Sequence, residues 1–82
     1  MISTAQHLVG TTPVQIVSDT IAAEEVHIHC AGTIYLGGAD VTTSNGLKMD
    51  NGDKLTFLNH VGAMYVVAGA GNQSISVLVI ER

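Results

Sequence analysis

At 82 residues the chain has room for one domain, and a lone core of that size is marginal, because it buries only about 60% of the surface the unfolded chain exposes. The single cysteine, Cys30, excludes the internal disulfide that small folds often rely on, which leaves a metal or a partner. Hydrophobic residues are 46% and charged residues only 12% of the chain, against about 25% charged in soluble domains; seven acids against three bases give a net charge of −4 and no basic patch, so nucleic acid is not an expected partner.

Met1 to Gly10 has no basic segment leading into an apolar stretch, and no window approaches the ~18 apolar residues of a membrane helix. The expectation is a cytosolic origin with no membrane partner, and one free cysteine agrees with a reducing compartment. The sequon Asn72-Gln73-Ser74 then reads as a loop tripeptide.

In chain order, residues 1–12 lack clean alternation and read as a possible N-terminal arm ahead of a domain over 13–82. Val14–Ser18 is the first expected strand. Asp19–Glu25 is the only helical candidate, barely two turns long, and reads as a helical turn or a connection. In Val26-His27-Ile28-His29-Cys30 the apolar residues point one way and both histidines the other. After Gly32, Thr33-Ile34-Tyr35-Leu36 resumes the alternation, so the two runs read as neighbouring strands or as one strand bent at Gly32. Short strands follow at Val41–Thr43, near Leu47–Met49, at Lys54–Leu58 and at Met64–Ala68. The clearest comes last, where Ile75, Val77 and Val79 alternate with Ser76, Leu78 and Ile80.

Gly37-Gly38, Asn45-Gly46, Asn51-Gly52 and Gly69–Asn72 supply the turns between them. Seven or eight short antiparallel strands at this spacing predict an all-β, single-domain β-sandwich, jelly-roll-like in form.

Parity along the strands has a consequence for assembly. With Ile75, Val77 and Val79 facing the core, Leu78 and Ile80 face outward. The same bookkeeping puts Val17, Leu58, Tyr65 and Val67 outside, opposite Ile16, Phe57, Met64 and Val66. A solvated outer face should be polar. Apolar residues there are covered either by an arm or loop of the same chain or by another subunit; the second reading makes Leu58, Val67, Leu78 and Ile80 an oligomer interface.

The sequence offers little chemistry. His27 and His29 share a face and are the weak metal candidates, with His60 or His7 as a third ligand. This H-x-H resembles the first cupin motif, and Gly52 and Asn59 fall at the spacing of the second. Leu55 stands where the second motif places its histidine, however, and Thr33 and Ile34 stand where the first places its glutamate. Cys30 lies on the face opposite the histidines and reads as a buried, inert thiol. Asp40, Asp50 and Asp53 sit in turns, where such side chains bond their own backbone. There is no G-x-S-x-G elbow and no phosphate-cradling loop, and the expectation is a non-enzyme with no catalytic residue and no cofactor.

Ile34 to Phe57, with its Tyr35-Leu36-Gly37-Gly38-Ala39-Asp40-Val41-Thr42, its Ser44-Asn45-Gly46 and its Asp50-Asn51-Gly52-Asp53 turn, resembles a segment common in small phage virion proteins. Those proteins close, as here at Ser74–Arg82, on a short hydrophobic strand. The usual proline is absent from the turn at Asp50–Asp53. The resemblance implies a structural protein of the virion, foremost a capsid decoration or cement protein. Such proteins are often homotrimers that bind the major capsid protein or another virion protein after assembly in the host cytoplasm. A tail, neck or fibre component and a degenerate cupin-like ligand or metal binder are the alternatives.

Overall fold

The structure, a computed structural model, describes residues 2–18, 22–69 and 71–81, with His60 and Val61 described by their backbone alone. Eight strands make up the fold: β1 (Ile2–Val9), β2 (Val14–Val17), β3 (Ala22–Cys30), β4 (Ile34–Gly37), β5 (Leu47–Met49), β6 (Lys54–Val61), β7 (Met64–Ala68) and β8 (Gln73–Glu81). Among the described residues there is no helix. The strands form two four-stranded antiparallel sheets in the orders β1-β8-β3-β6 and β2-β7-β4-β5. The first strand thus pairs with the last, the second with the seventh, the third with the sixth and the fourth with the fifth.

The alternation that marks the strands in the sequence decides what lies between the sheets. Val26, Ile28 and Cys30 from β3 and Ile75, Val77 and Val79 from β8 face Ile34 and Leu36 from β4 and Met64, Val66 and Ala68 from β7, all of them buried. The filling is aliphatic, with Leu55 and Phe57 partly buried at its margin, and no described polar or charged residue is buried. β-Branched residues suit this slab because their fixed χ1 packs well on a pleated surface.

Several expectations are corrected. Ala22 to Glu25, the second half of the helical candidate, are the start of β3, while Asp19 to Ile21 lie outside the described residues. The two runs flanking Gly32 are neither neighbours nor one bent strand, since β3 and β4 belong to different sheets. Val41–Thr43 is loop. Residues 2–9, within the expected arm, form β1, which pairs with β8 in unbroken register from Ile2 opposite Ile80 to Val9 opposite Gln73. Val17 faces the core together with Ile16, because the register against β7 slips between Gln15 and Val17. One extra residue in β2 reverses the parity that alternation assumes.

Candidate assembly surface

The outer faces of the two sheets are managed differently. On the second sheet, Tyr35 and Gly37 of β4 and Tyr65 and Val67 of β7 point away from the core. The loop 38–46 folds back over Tyr35, Gly37 and Val67. Val41 comes to rest against Gly37 and Gly46, where an added Cβ would stand 2.7 Å and 2.8 Å from its Cγ2. Only glycines leave space for this approach. Val41 and Val67 are each 3% exposed, yet neither belongs to the cluster between the sheets; both line a hollow with Thr42 and Thr43 of the loop.

The loop holds its own shape. Asn45 accepts a hydrogen bond from the Thr42 amide at 2.7 Å and donates to the Asp40 carbonyl at 3.4 Å, while Thr42 Oγ1 accepts from the amides of Ser44 and Asn45. Val67, expected at a subunit contact, is therefore an outer-face residue already sheltered by its own chain.

The first sheet has no such cover among the described residues. Its outer face consists of cross-strand rows fixed by register. One row runs Ile2, Ile80, Glu25, Leu58; the next runs Thr4, Leu78, His27, Thr56; the third runs Gln6, Ser76, His29, Lys54. The face is apolar at one end and polar at the other. Ile2 is 65% exposed and Leu58 67%, with Leu78 and Ile80 half-buried between the strands. The polar rows border a shallow depression of about 500 Å³.

The histidines are placed in detail. His27 Nε2 lies 3.0 Å from Glu25 Oε1, and His27 Nδ1 lies 3.1 Å from Thr56 Oγ1. A carboxylate only accepts, so in neutral His27 the proton sits on Nε2 and the Thr56 hydroxyl donates to Nδ1. Both ring nitrogens are then engaged by neighbours on the same sheet.

His29 shares the face. His60 does not join them, because its backbone pairs opposite Ala23, four residues and about 13 Å along β3 from His27, and its side chain lies outside the described residues. His7 pairs opposite Ile75 and points toward the other face of the sheet. The described residues contain no group of three or more His, Cys, Asp or Glu side chains able to hold a metal. The histidine pair also stands outside the sandwich, whose interior is occupied by aliphatic side chains.

Cys30 is buried on the face opposite the histidines and serves the turn between β5 and β6. Its thiol donates to the Asp50 carbonyl at 2.9 Å, and its own carbonyl accepts from the Gly52 amide at 2.9 Å. Asp53 closes the turn, its carboxylate accepting from the Asp50 amide at 2.8 Å. Asp50 itself reaches Lys48 at 3.8 Å, an exposed pair of little energetic weight. The signal for this arrangement was the D-N-G-D spacing; the part Cys30 plays in it had none, because the partners are backbone atoms 20 or more residues away.

No protein-family model matches the chain, and no curated protein matches it.

Proposed function

We propose that this protein is a structural component of a phage particle, foremost a capsid decoration or cement protein, and that it works as a homo-oligomer seated on the major capsid protein or another virion protein. One observation carries the reading: a charge-poor chain presents Ile2, Ile80 and Leu78 together, with Leu58 beyond Glu25 in the same row, on a sheet face that no other described residue covers. Adjacent apolar residues left at the surface of so small a domain, as Ile2, Ile80 and Leu78 are, favour a protein contact. The strand pairing supports a jelly roll, since winding one long hairpin into two sheets pairs first with last and fourth with fifth. That architecture recurs in viral capsid proteins, lectins and cupins alike, so it does not choose among functions.

Physically, a protein that binds only the assembled lattice stabilises it by mass action, and several linked copies multiply a weak contact without any new one. Neither effect needs a catalytic residue or cofactor. Quantitative mass spectrometry of gradient-purified particles tests the proposal. The expected result is the chain at a fixed ratio to the major capsid protein; recovery on isolated tails but not on heads assigns it to the tail, neck or fibre instead, and recovery only in the particle-free fraction refutes the virion reading.

A further inference from the structure

The two sheets end in four edge strands, β1, β6, β2 and β5. An edge displays unpaired backbone groups and invites another strand, and proteins blunt it with brevity, charge, proline, bulges or kinks. Three of these edges are blunted. β5 has three residues and carries Lys48. β2 has four, follows Pro13 and is bulged between Gln15 and Val17. β6 carries Lys54 and is bent at Asn59, whose φ is 54°.

β1 has none of these devices. It is eight residues long, contains no Asp, Glu, Lys, Arg or Pro, has no positive φ, and keeps an unbroken register against β8. Six of its eight residues are exposed. On a chain of net charge −4, it is a strand along which two copies meet without like charges facing each other.

We propose that β1 is a dimerisation edge: β1 of one copy pairs antiparallel with β1 of a second about a two-fold axis at Ala5, joining two four-stranded sheets into one of eight strands. The strand specifies its own partner and register. A two-fold axis perpendicular to the sheet keeps outer residues opposite outer residues, which requires pairing between positions of equal parity. Centring on Ala5 sets Ile2 opposite the partner's Leu8 and Thr4 opposite the partner's Gln6 on the outer face, with Ser3 opposite the partner's His7 on the inner one.

Ile2 and Leu8 are 65% and 64% exposed, and this register places them against each other twice. Moving the axis by one residue to Thr4 or Gln6 sets Ile2 against Gln6 or Leu8 against Thr4. Because Ile2 already lies beside Ile80 of its own sheet, each pair extends to an apolar row of Ile80, Ile2 and the partner's Leu8. The contact is two-fold, in place of the three-subunit ring that the phage resemblance implies, and it concerns the chain alone, so it stands or falls separately from the virion reading.

The test is register-specific. Residues directly opposite across antiparallel strands have Cα atoms about 4.5–5.5 Å apart, within the range a disulfide spans. The exposed Ala5 therefore tolerates a cross-link to its own copy, whereas the two copies of His7 stand about 14 Å apart along the strands. Oxidised Ala5→Cys should run as a covalent dimer at twice the chain mass of 8.5 kDa, and oxidised His7→Cys as a single chain. Ile2→Lys combined with Leu8→Lys should give a monomer by sedimentation velocity, and Ile2→Lys combined with Leu8→Glu should restore the dimer, since opposite charges then face each other. All these positions but the half-buried His7 are exposed, and circular dichroism confirms that each variant is folded. A wild-type chain that stays monomeric at high micromolar concentration, an Ala5→Cys protein that does not cross-link, or a mixed-charge variant no more associated than the double-lysine one overturns the proposal.

Discussion

Val67 and Leu58 look alike in the sequence, both apolar at outward parity, yet the fold treats them oppositely: Val67 is 3% exposed under the loop 38–46 and Leu58 is 67% exposed on the first sheet. Val67→Ala removes two buried carbons at about 0.8 kcal/mol each, and the space left beneath a loop pinned by Gly37 and Gly46 raises the cost to roughly 2 kcal/mol. For a domain of this size that lowers Tm by about 8–16 °C. Leu58→Ala removes three carbons of which only a third of the area is shielded, so the cost within one subunit is below about 1 kcal/mol. Thermal melts followed by circular dichroism at two protein concentrations separate them. The Val67→Ala loss should be the same at both, whereas any loss from Leu58→Ala beyond that small value should grow with concentration, as linkage to association requires. Equal shifts for the two substitutions, or a Val67→Ala Tm within a few degrees of wild type, would refute the claim that the second sheet is covered by its own loop.

Three further outcomes follow from the same geometry. Changing His27 and His29 together to Ala should move Tm by no more than ordinary surface substitutions do, because the bonds lost to Glu25 and Thr56 are at the surface; stoichiometric metal in the purified native protein, lost in this variant, would overturn that placement. Gly46→Ala should cost about 1–3 kcal/mol by overpacking, its Cβ falling 2.7 Å from that of Tyr35, and an unchanged Tm would contradict the close approach. Cys30 should resist a thiol reagent in the native protein and react on denaturation, since a buried thiol is a poor nucleophile; rapid native labelling would show that the turn at Asp50–Asp53 does not seal it.

The strands were legible where alternation is uninterrupted. Val26–Cys30, Leu47–Met49, Met64–Ala68 and the last strand all fall where their period-two pattern puts them. What the pattern concealed has physical causes. β1 lacks alternation because neither of its faces is well buried, so nothing selects apolar residues at every second position. The first residues of β3 read as a helical turn or a connection because Ala and Glu favour helices, and pairing on both sides of the strand overrides that preference. Val17 was misplaced by a bulge, which period counting cannot see. Of the four apolar residues on the candidate surface, three are readable: the parity of Leu58, Leu78 and Ile80 is enough to place them outside. The removal of Val67 from that surface depends on Val41 reaching back across the sheet, a contact for which the only cue was the glycines at either end of its loop.

The most direct test of the central claim, that the first sheet is an assembly surface, is the mass of the untagged chain by light scattering across the micromolar range. The expected result is an assembly larger than the two chains that the β1 edge would join, falling to no more than two chains of 8.5 kDa each when Leu78 and Ile80 are both changed to Asp, with the folded spectrum retained. A wild-type mass of no more than two chains at every concentration would contradict it.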